Sequence, residues 1–306
     1  MRTLVLWGLL LTAAGVTAYD WSFRVEGPTR QARLDGHRGI VTRVTWAPER
    51  YRVLVPYSLD PVIRLASRWM PYEKAFGRVY AVFYLLSIAW MFVALHRYLR
   101  EFFTLEQALV GVLAAASTLP MTLRYYDYSP YSLLEPSFFA VALVWIRQRR
   151  FASLAMLLFI ATLNRETAIF IIFFYFVTVP LDRRHIQIGA GYLAIWAAVF
   201  YAVRWYAGEA RRYFDLETTW HGNTHSVEQL VIAGSSWVLL LGALWIYAAM
   251  GVSRAPWFVR RTALVFPVYL VTILVWGMWL EVRLLLPMYP VLLPLALSYL
   301  FEARRD

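Results

Sequence analysis

No cysteine occurs in this chain of 306 residues. Disulfides and thiolate metal sites are therefore excluded, and cysteine usage says nothing about redox compartment. Lysine is almost missing too: Lys74 is the only one, so the formal charge of +11 rests on arginine. There is no P-loop, no Asp-x-Asp pair to hold a metal-nucleotide, and no inner loop long enough for a nucleotide-binding domain. What is present is apolar. Hydrophobic residues make up 60% of the chain, aromatics 17%, and mean hydropathy is +0.52, a composition typical of a multi-spanning membrane protein and too apolar for a soluble domain of this length. Such a positive charge could serve nucleic acid, anionic lipid or a phosphorylated substrate, and its placement discriminates among them.

Apolar stretches long enough to span run from 2 to 19, 79 to 96, 105 to 120, 131 to 147, 186 to 204, 229 to 250, 262 to 280 and 284 to 301. Two shorter ones, 151 to 163 and 167 to 180, flank the charged interruption "NRET". Counting both gives about ten transmembrane helices. The arginine clusters "HRYLR", "RQRR", "DRRH", "RAPWFVRR" and "ARRD" then share one side with the N-terminus, which makes both termini cytoplasmic by the positive-inside rule. "RQRR" and "DRRH" on the same side require an even number of crossings between them, so 151 to 180 should form a hairpin with "NRET" as its turn. Arms of about 13 residues rise roughly 20 Å against a hydrocarbon layer of roughly 30 Å, placing the tip within the outer leaflet. A single interrupted helix is the competing arrangement. The opening segment also has the features of a cleavable signal, with "VTA" before Tyr19.

The expected fold class is thus an all-α polytopic membrane protein, residues 1–306 forming one transmembrane domain. Its long first outer loop, 20 to 78, carries eleven Lys and Arg residues, which long loops tolerate on the outer side. The first part of that loop, "WSFRVEGPTRQARLDGHRG", is polar and turn-rich; the second, "ERYRVLVPYSLDPVIRLASRWMPYEKAFGR", suits one or two amphipathic interfacial helices.

Polar groups concentrate at the outer ends of the apolar segments. Asp20 follows the first span, "RYYDYSPY" joins the third and fourth, Asn164, Arg165 and Glu166 form the hairpin tip, and Glu281 and Arg283 join the last two. Arg165 suits a phosphate, since its planar fork of donors matches the oxygens; the alternative is that Arg165 and Glu166 merely satisfy a buried turn. Tyr125, Tyr126 and Tyr128 could offer ring faces to a sugar and Asp127 could accept its hydroxyl protons, or the cluster is an interfacial aromatic belt. Glu281 and Arg283 divide in the same way between substrate contact and structure. Asp20, a partly desolvated carboxylate, could act as a general base or simply end a helix. His221 and His225 have i, i+4 spacing, but Gly222 and Asn223 between them argue against the helix that would align them, so no clear metal site emerges. "GAGYLA" at 189 to 194 lies within an apolar run and reads as small-residue helix packing, not a dinucleotide fingerprint. Pro287, Pro290 and Pro294 either bend the last helix and open a cavity or are tolerated between packed neighbours.

A first span ending in an acid, a long outer loop and short loops thereafter resemble the GT-C superfamily of integral membrane glycosyltransferases, as do "ERYRVLVP" (49 to 56), "ATLNRETAIF" (161 to 170) and "EVRLLLPMYP" (281 to 290). The resemblance implies a polyprenyl-phosphate-linked sugar donor, an acceptor of unknown identity deprotonated by an acidic residue, and inversion at the anomeric carbon. It further implies location in a bacterial or archaeal plasma membrane with the active face outside. Asp20 matches that acidic base by position; beside the resemblance, the chemistry of the residues themselves suits Arg165, helped by Arg52 or Arg283, to stabilise the departing lipid phosphate, and Glu166 to orient Arg165 or bind the sugar. Many relatives have a paired acidic motif, whereas here "YDWS" is followed by an acid only at Glu26. With no C-terminal outer domain expected, the enzyme should be compact or work with a membrane protein partner. A divalent metal is an open question. A transporter or lipid-linked oligosaccharide flippase would use the same charges along a path, and an O-antigen-type polymerase or ligase is a nearer rival. Nucleic acid is excluded as a partner by the placement of the arginines, which are short topology signals or lie outside.

Overall fold

The computed structural model describes residues 2–23, 28–123, 129–210 and 216–303, and among these there is no strand. The chain opens with α1 (Arg2–Phe23), α2 (Pro28–Val41), α3 (Leu54–Ala66) and the long α4 (Tyr72–Leu99). It continues through α5 (Leu105–Thr118), α6 (Glu135–Arg147), α7 (Phe151–Asn164), α8 (Ile169–Thr178) and α9 (Arg183–Ala207). Next come α10 (Leu216–Thr224), α11 (Val227–Leu241) and α12 (Ala243–Gly251). The chain closes with α13 (Trp257–Thr262), α14 (Val265–Trp276) and α15 (Tyr289–Leu300). Short 3-10 turns at Glu49–Tyr51, Pro130–Leu133, Glu166–Ala168 and Val282–Met288 precede α3, α6, α8 and α15.

Among the described residues, four helical runs are long and apolar enough to cross a membrane: α4, α9, Trp257–Trp276 and Val282–Leu300. The apolar stretch 229 to 250 makes a fifth if its two helices, bent 61° to one another, count as one span. That break falls at Gly242, whose φ of 44° with ψ of −126° is a conformation that favours glycine. These helices mark a membrane protein. Val282–Leu300 is the innermost, 94% of its apolar window being enclosed. Pro287, Pro290 and Pro294 are all buried in it, tolerated between packed neighbours. Its close partner is α12, where a Cβ on Gly251 would fall 1.9 Å from the Leu295 carbonyl oxygen. Gly189 likewise receives the Phe176 ring, whereas Gly191 meets nothing within 4 Å, so only the first of the "GAGYLA" glycines is a packing site.

Residues 151 to 178 form two antiparallel helices. The ring of Phe151, at the start of α7, lies 5.8 Å from that of Tyr175, near the end of α8. Arg165 ends α7 by taking an extended conformation, φ −164° and ψ 144°, and the 3-10 turn Glu166–Ala168 restarts the chain in the opposite direction. The Trp196 indole N–H donates to the Glu166 carbonyl at 3.1 Å. Trp196 stands roughly 20 Å along α9 from Arg183 at 1.5 Å per residue. The turn is therefore set beside the middle of a 25-residue helix.

Two local expectations are corrected. The polar, turn-rich stretch after the first span contains a 14-residue helix, α2, because Arg33, Leu34, His37 and Ile40 recur on one side and are buried. His37 lies fully buried with Nδ1 3.0 Å from the Tyr80 hydroxyl and Nε2 3.4 Å from Asp60, and Arg64 donates to the same carboxylate at 2.6 Å. Burial lowers the His37 pKa below its ordinary 6.5, against the upward pull of Asp60. In the second case, Gly222 and Asn223 do not prevent a helix: α10 runs through both. Asn223 donates to the Gly277 carbonyl and accepts from the Trp279 N–H, each at 2.9 Å, and these tertiary bonds override its weak helix preference. The rings of His221 and His225 are 5.9 Å apart, but no cluster of three metal-ligating side chains occurs among the described residues.

Candidate functional site

The turn at 164 to 168 opens onto a cavity of about 870 Å³. Arg165, Glu166 and Thr167 line one side, and Pro48, Tyr51 and Arg52 another. Trp196, Phe200 and Arg204 of α9 face Tyr269, Ile273 and Trp276 of α14 across the remaining space. Because these α9 residues succeed one another along the helix and Glu209 joins the lining, the cavity extends from the hairpin turn to the C-terminal end of α9. Three bonds hold the segment before α3 against that end. Arg43 donates to the Tyr206 carbonyl at 3.1 Å, Arg50 to that of Glu209 at 2.6 Å, and Tyr51 to that of Gly208 at 3.4 Å.

Two ion pairs organise the polar side, that of Arg165 fully buried and that of Arg52 with its glutamate 29% exposed. Arg52 Nη2 meets Glu166 at 2.8 Å, and Arg165 Nη1 meets Glu135 at 2.8 Å. Between the two guanidinium groups lies the ring of Tyr131, its centroid 4.5 Å from Arg52 Cζ and 5.8 Å from Arg165 Cζ. The Tyr131 hydroxyl accepts from Arg52 Nη1 at 2.6 Å, and its backbone carbonyl accepts from the Asn164 amide at 3.0 Å. Thr167 donates its hydroxyl proton to the other oxygen of Glu135. Burial opposes the Arg52 charge, but Glu166, Tyr131 and Glu49 together more than offset it and raise the Arg52 pKa, so the cation persists at every working pH. The Nε groups of Arg52 and Arg165 are shielded and have no partner among the described residues. Each guanidinium thus keeps donor capacity that its glutamate does not consume.

Chemically the two guanidinium groups stand among three carboxylates, since Glu49 also lies 3.6 Å from Arg52 Nη1, and of the paired groups that line the cavity, Arg52, Arg165 and Glu166, the cations are the more enclosed. Arg52 and Arg165 are 6% and 8% exposed, and anionic oxygens are the natural ligands for such forks. Trp196 and Phe200, stacked at 4.8 Å, supply an apolar wall. Arg204 lies over both Phe200 and Tyr51, 3.2 and 4.4 Å from their centroids.

Of the residues singled out in the sequence, Arg52, Arg165 and Glu166 line this cavity, and Asn164 secures the turn. Glu281 and Arg283 pair with each other at 3.0 Å; neither lines the cavity, although their neighbour Leu284 does. Asp20 belongs to α1, which continues past it to Phe23, and its side chain lies outside the described residues. Tyr125, Tyr126 and Asp127 also lie outside them. Sequence reasoning missed Tyr131, Glu135, Thr167 and Trp196. For Glu135 a signal existed: it is a lone carboxylate inside "SLLEPSFFAVALVWI", and an isolated acid in an apolar run needs a partner.

Comparison with protein-family models, curated proteins and solved structures finds no match to this chain.

Proposed function

We propose that the protein is an inverting membrane glycosyltransferase that moves a sugar from a polyprenyl-phosphate-linked donor to an acceptor on the extracytoplasmic face. The observation that carries this reading is the meeting of Arg52, from the segment between α2 and α3, with Arg165 and Glu166, from the hairpin turn, in one cavity walled by aromatic side chains. In this reading the chain crosses the membrane about ten times, counting the hairpin arms. Both termini are cytoplasmic, and the cavity opens outward in the plasma membrane of a bacterium or archaeon.

In the proposed reaction the acceptor oxygen attacks the anomeric carbon, Asp20 takes its proton, and the bond from that carbon to the phosphate oxygen breaks. The electron pair leaves on the lipid phosphate. Arg165 and Arg52 stabilise that charge, an electrostatic contribution often worth several kcal/mol. The cavity could instead pass a lipid-linked sugar across the membrane, but its two ion pairs gather at one turn rather than along a path.

The test is transfer of radiolabelled sugar from prenyl-phosphate donors in membranes containing the protein. Arg165→Ala and Asp20→Asn should each abolish transfer with membrane insertion intact. Undiminished transfer in either variant removes that residue from the mechanism.

A further inference from the structure

Glu135 does not line the cavity, yet it touches two residues that do. It is 2% exposed, and its side chain has two partners among the described residues: Arg165, at 2.8 Å, and the Thr167 hydroxyl. A carboxylate in an ion pair accepts hydrogen bonds and cannot donate them, so the Thr167 proton is committed to Glu135. What Thr167 offers the cavity is then the lone pairs of its oxygen. A phosphate oxygen, itself an acceptor, has nothing to gain there; a ligand hydroxyl does. Beside it, Arg165 offers only donors.

We propose that Glu135 is a positioning residue that turns Thr167 into an obligate acceptor, so that Arg165 and Thr167 together read an anionic oxygen next to a hydroxyl, the signature of a phosphorylated polyol. The inference rests on the glycosyltransferase reading and adds to it the group that separates a sugar-bearing lipid phosphate from a bare one.

Calorimetric titration of the full-length protein in detergent tests this with two kinds of probe: farnesyl phosphate, and farnesyl phosphate esterified to glucose, galactose or mannose. The unmodified protein should bind the tightest sugar probe more strongly than farnesyl phosphate. Thr167→Val should weaken that probe by about three- to tenfold, the worth of one hydrogen bond, and change farnesyl phosphate less than twofold. Thr167→Ser, which keeps the hydroxyl, should retain the discrimination, and Glu135→Gln should reduce it while weakening both probes through Arg165. Should Thr167→Val fail to express, Thr167→Ala makes the same comparison. Equal weakening of both probes by the Thr167 variant, or no effect on either, overturns the inference. If the unmodified protein binds both probes equally, the inference alone falls; if it binds neither, the glycosyltransferase reading falls with it.

Discussion

Arg52 and Glu166 come from points 114 positions apart in the chain and meet at 2.8 Å, so each is the other's main compensation for leaving water. Arg52 is buried but the Glu166 side chain is 29% exposed, so removing one partner should cost less than the roughly 3 kcal/mol of a fully buried pair, whereas replacing both by neutral groups of similar size is often close to neutral. Arg52→Met should therefore lower the thermal midpoint of the detergent-solubilised protein clearly, and Arg52→Met combined with Glu166→Gln should recover most of the loss. A double variant no more stable than the single one would mean that the pair does not couple. His37 makes a separate prediction. Its folded pKa is lowered from 6.5 by burial, so the unfolded chain binds a proton that the folded one refuses. Stability should then fall as pH drops from about 6.5 toward the folded pKa, and His37→Gln should flatten that part of the pH profile of thermal unfolding. These two cases also show what a sequence discloses about a residue. Arg165 and Glu166 stand out because charge is costly in an apolar run, but the partners that absorb the charge, Glu135 for Arg165 and Arg52 for Glu166, lie 30 and 114 positions upstream and nothing local connects them.

Helices in this protein approach one another through glycine at a few places, and these can be separated by what stands opposite. On Gly251 even a methyl group would collide with the Leu295 carbonyl, 1.9 Å away, and because that atom is backbone, α12 and α15 would have to part. Gly251→Ala should cost about 2 kcal/mol, typical of overpacking. Gly191→Ala, where nothing lies within 4 Å, should be neutral or stabilise by up to about 1 kcal/mol through helix preference. Measured side by side in thermal unfolding, equal effects would contradict the close packing of α12 on α15. At this scale the long apolar helices were legible because their length and hydropathy need no partner to be read. The helix α2 was not, because Gly36 and Gly39 weaken its local preference and its stability comes from placing His37 against Tyr80 and Asp60. The same holds for α10, which persists through Gly222 because Asn223 bonds to the chain at Gly277 and Trp279.

For the whole molecule the decisive quantity is which side of the membrane each end of the cavity faces. Helix α9 has 25 residues, roughly 37 Å at 1.5 Å per residue, enough to cross a hydrocarbon layer of roughly 30 Å once. The antiparallel α7 and α8 return the chain to the end at which they began, as the Phe151 and Tyr175 rings show. Arg149 and Glu209 must then lie on opposite sides if the cavity opens outward. The chain lacks cysteine, so single cysteines can be introduced and labelled without background. Arg149→Cys and Arg254→Cys should react with a membrane-impermeant maleimide only after permeabilisation. Glu209→Cys, at the far end of α9, should react in intact cells, as should Trp69→Cys, beside the end of α3. Glu166→Cys should react slowly in both conditions, since the turn stands beside the middle of α9. Were Arg149→Cys and Glu209→Cys to label from the same side, α9 would not cross, and a lipid-borne phosphate entering from the outer leaflet could not reach Arg165.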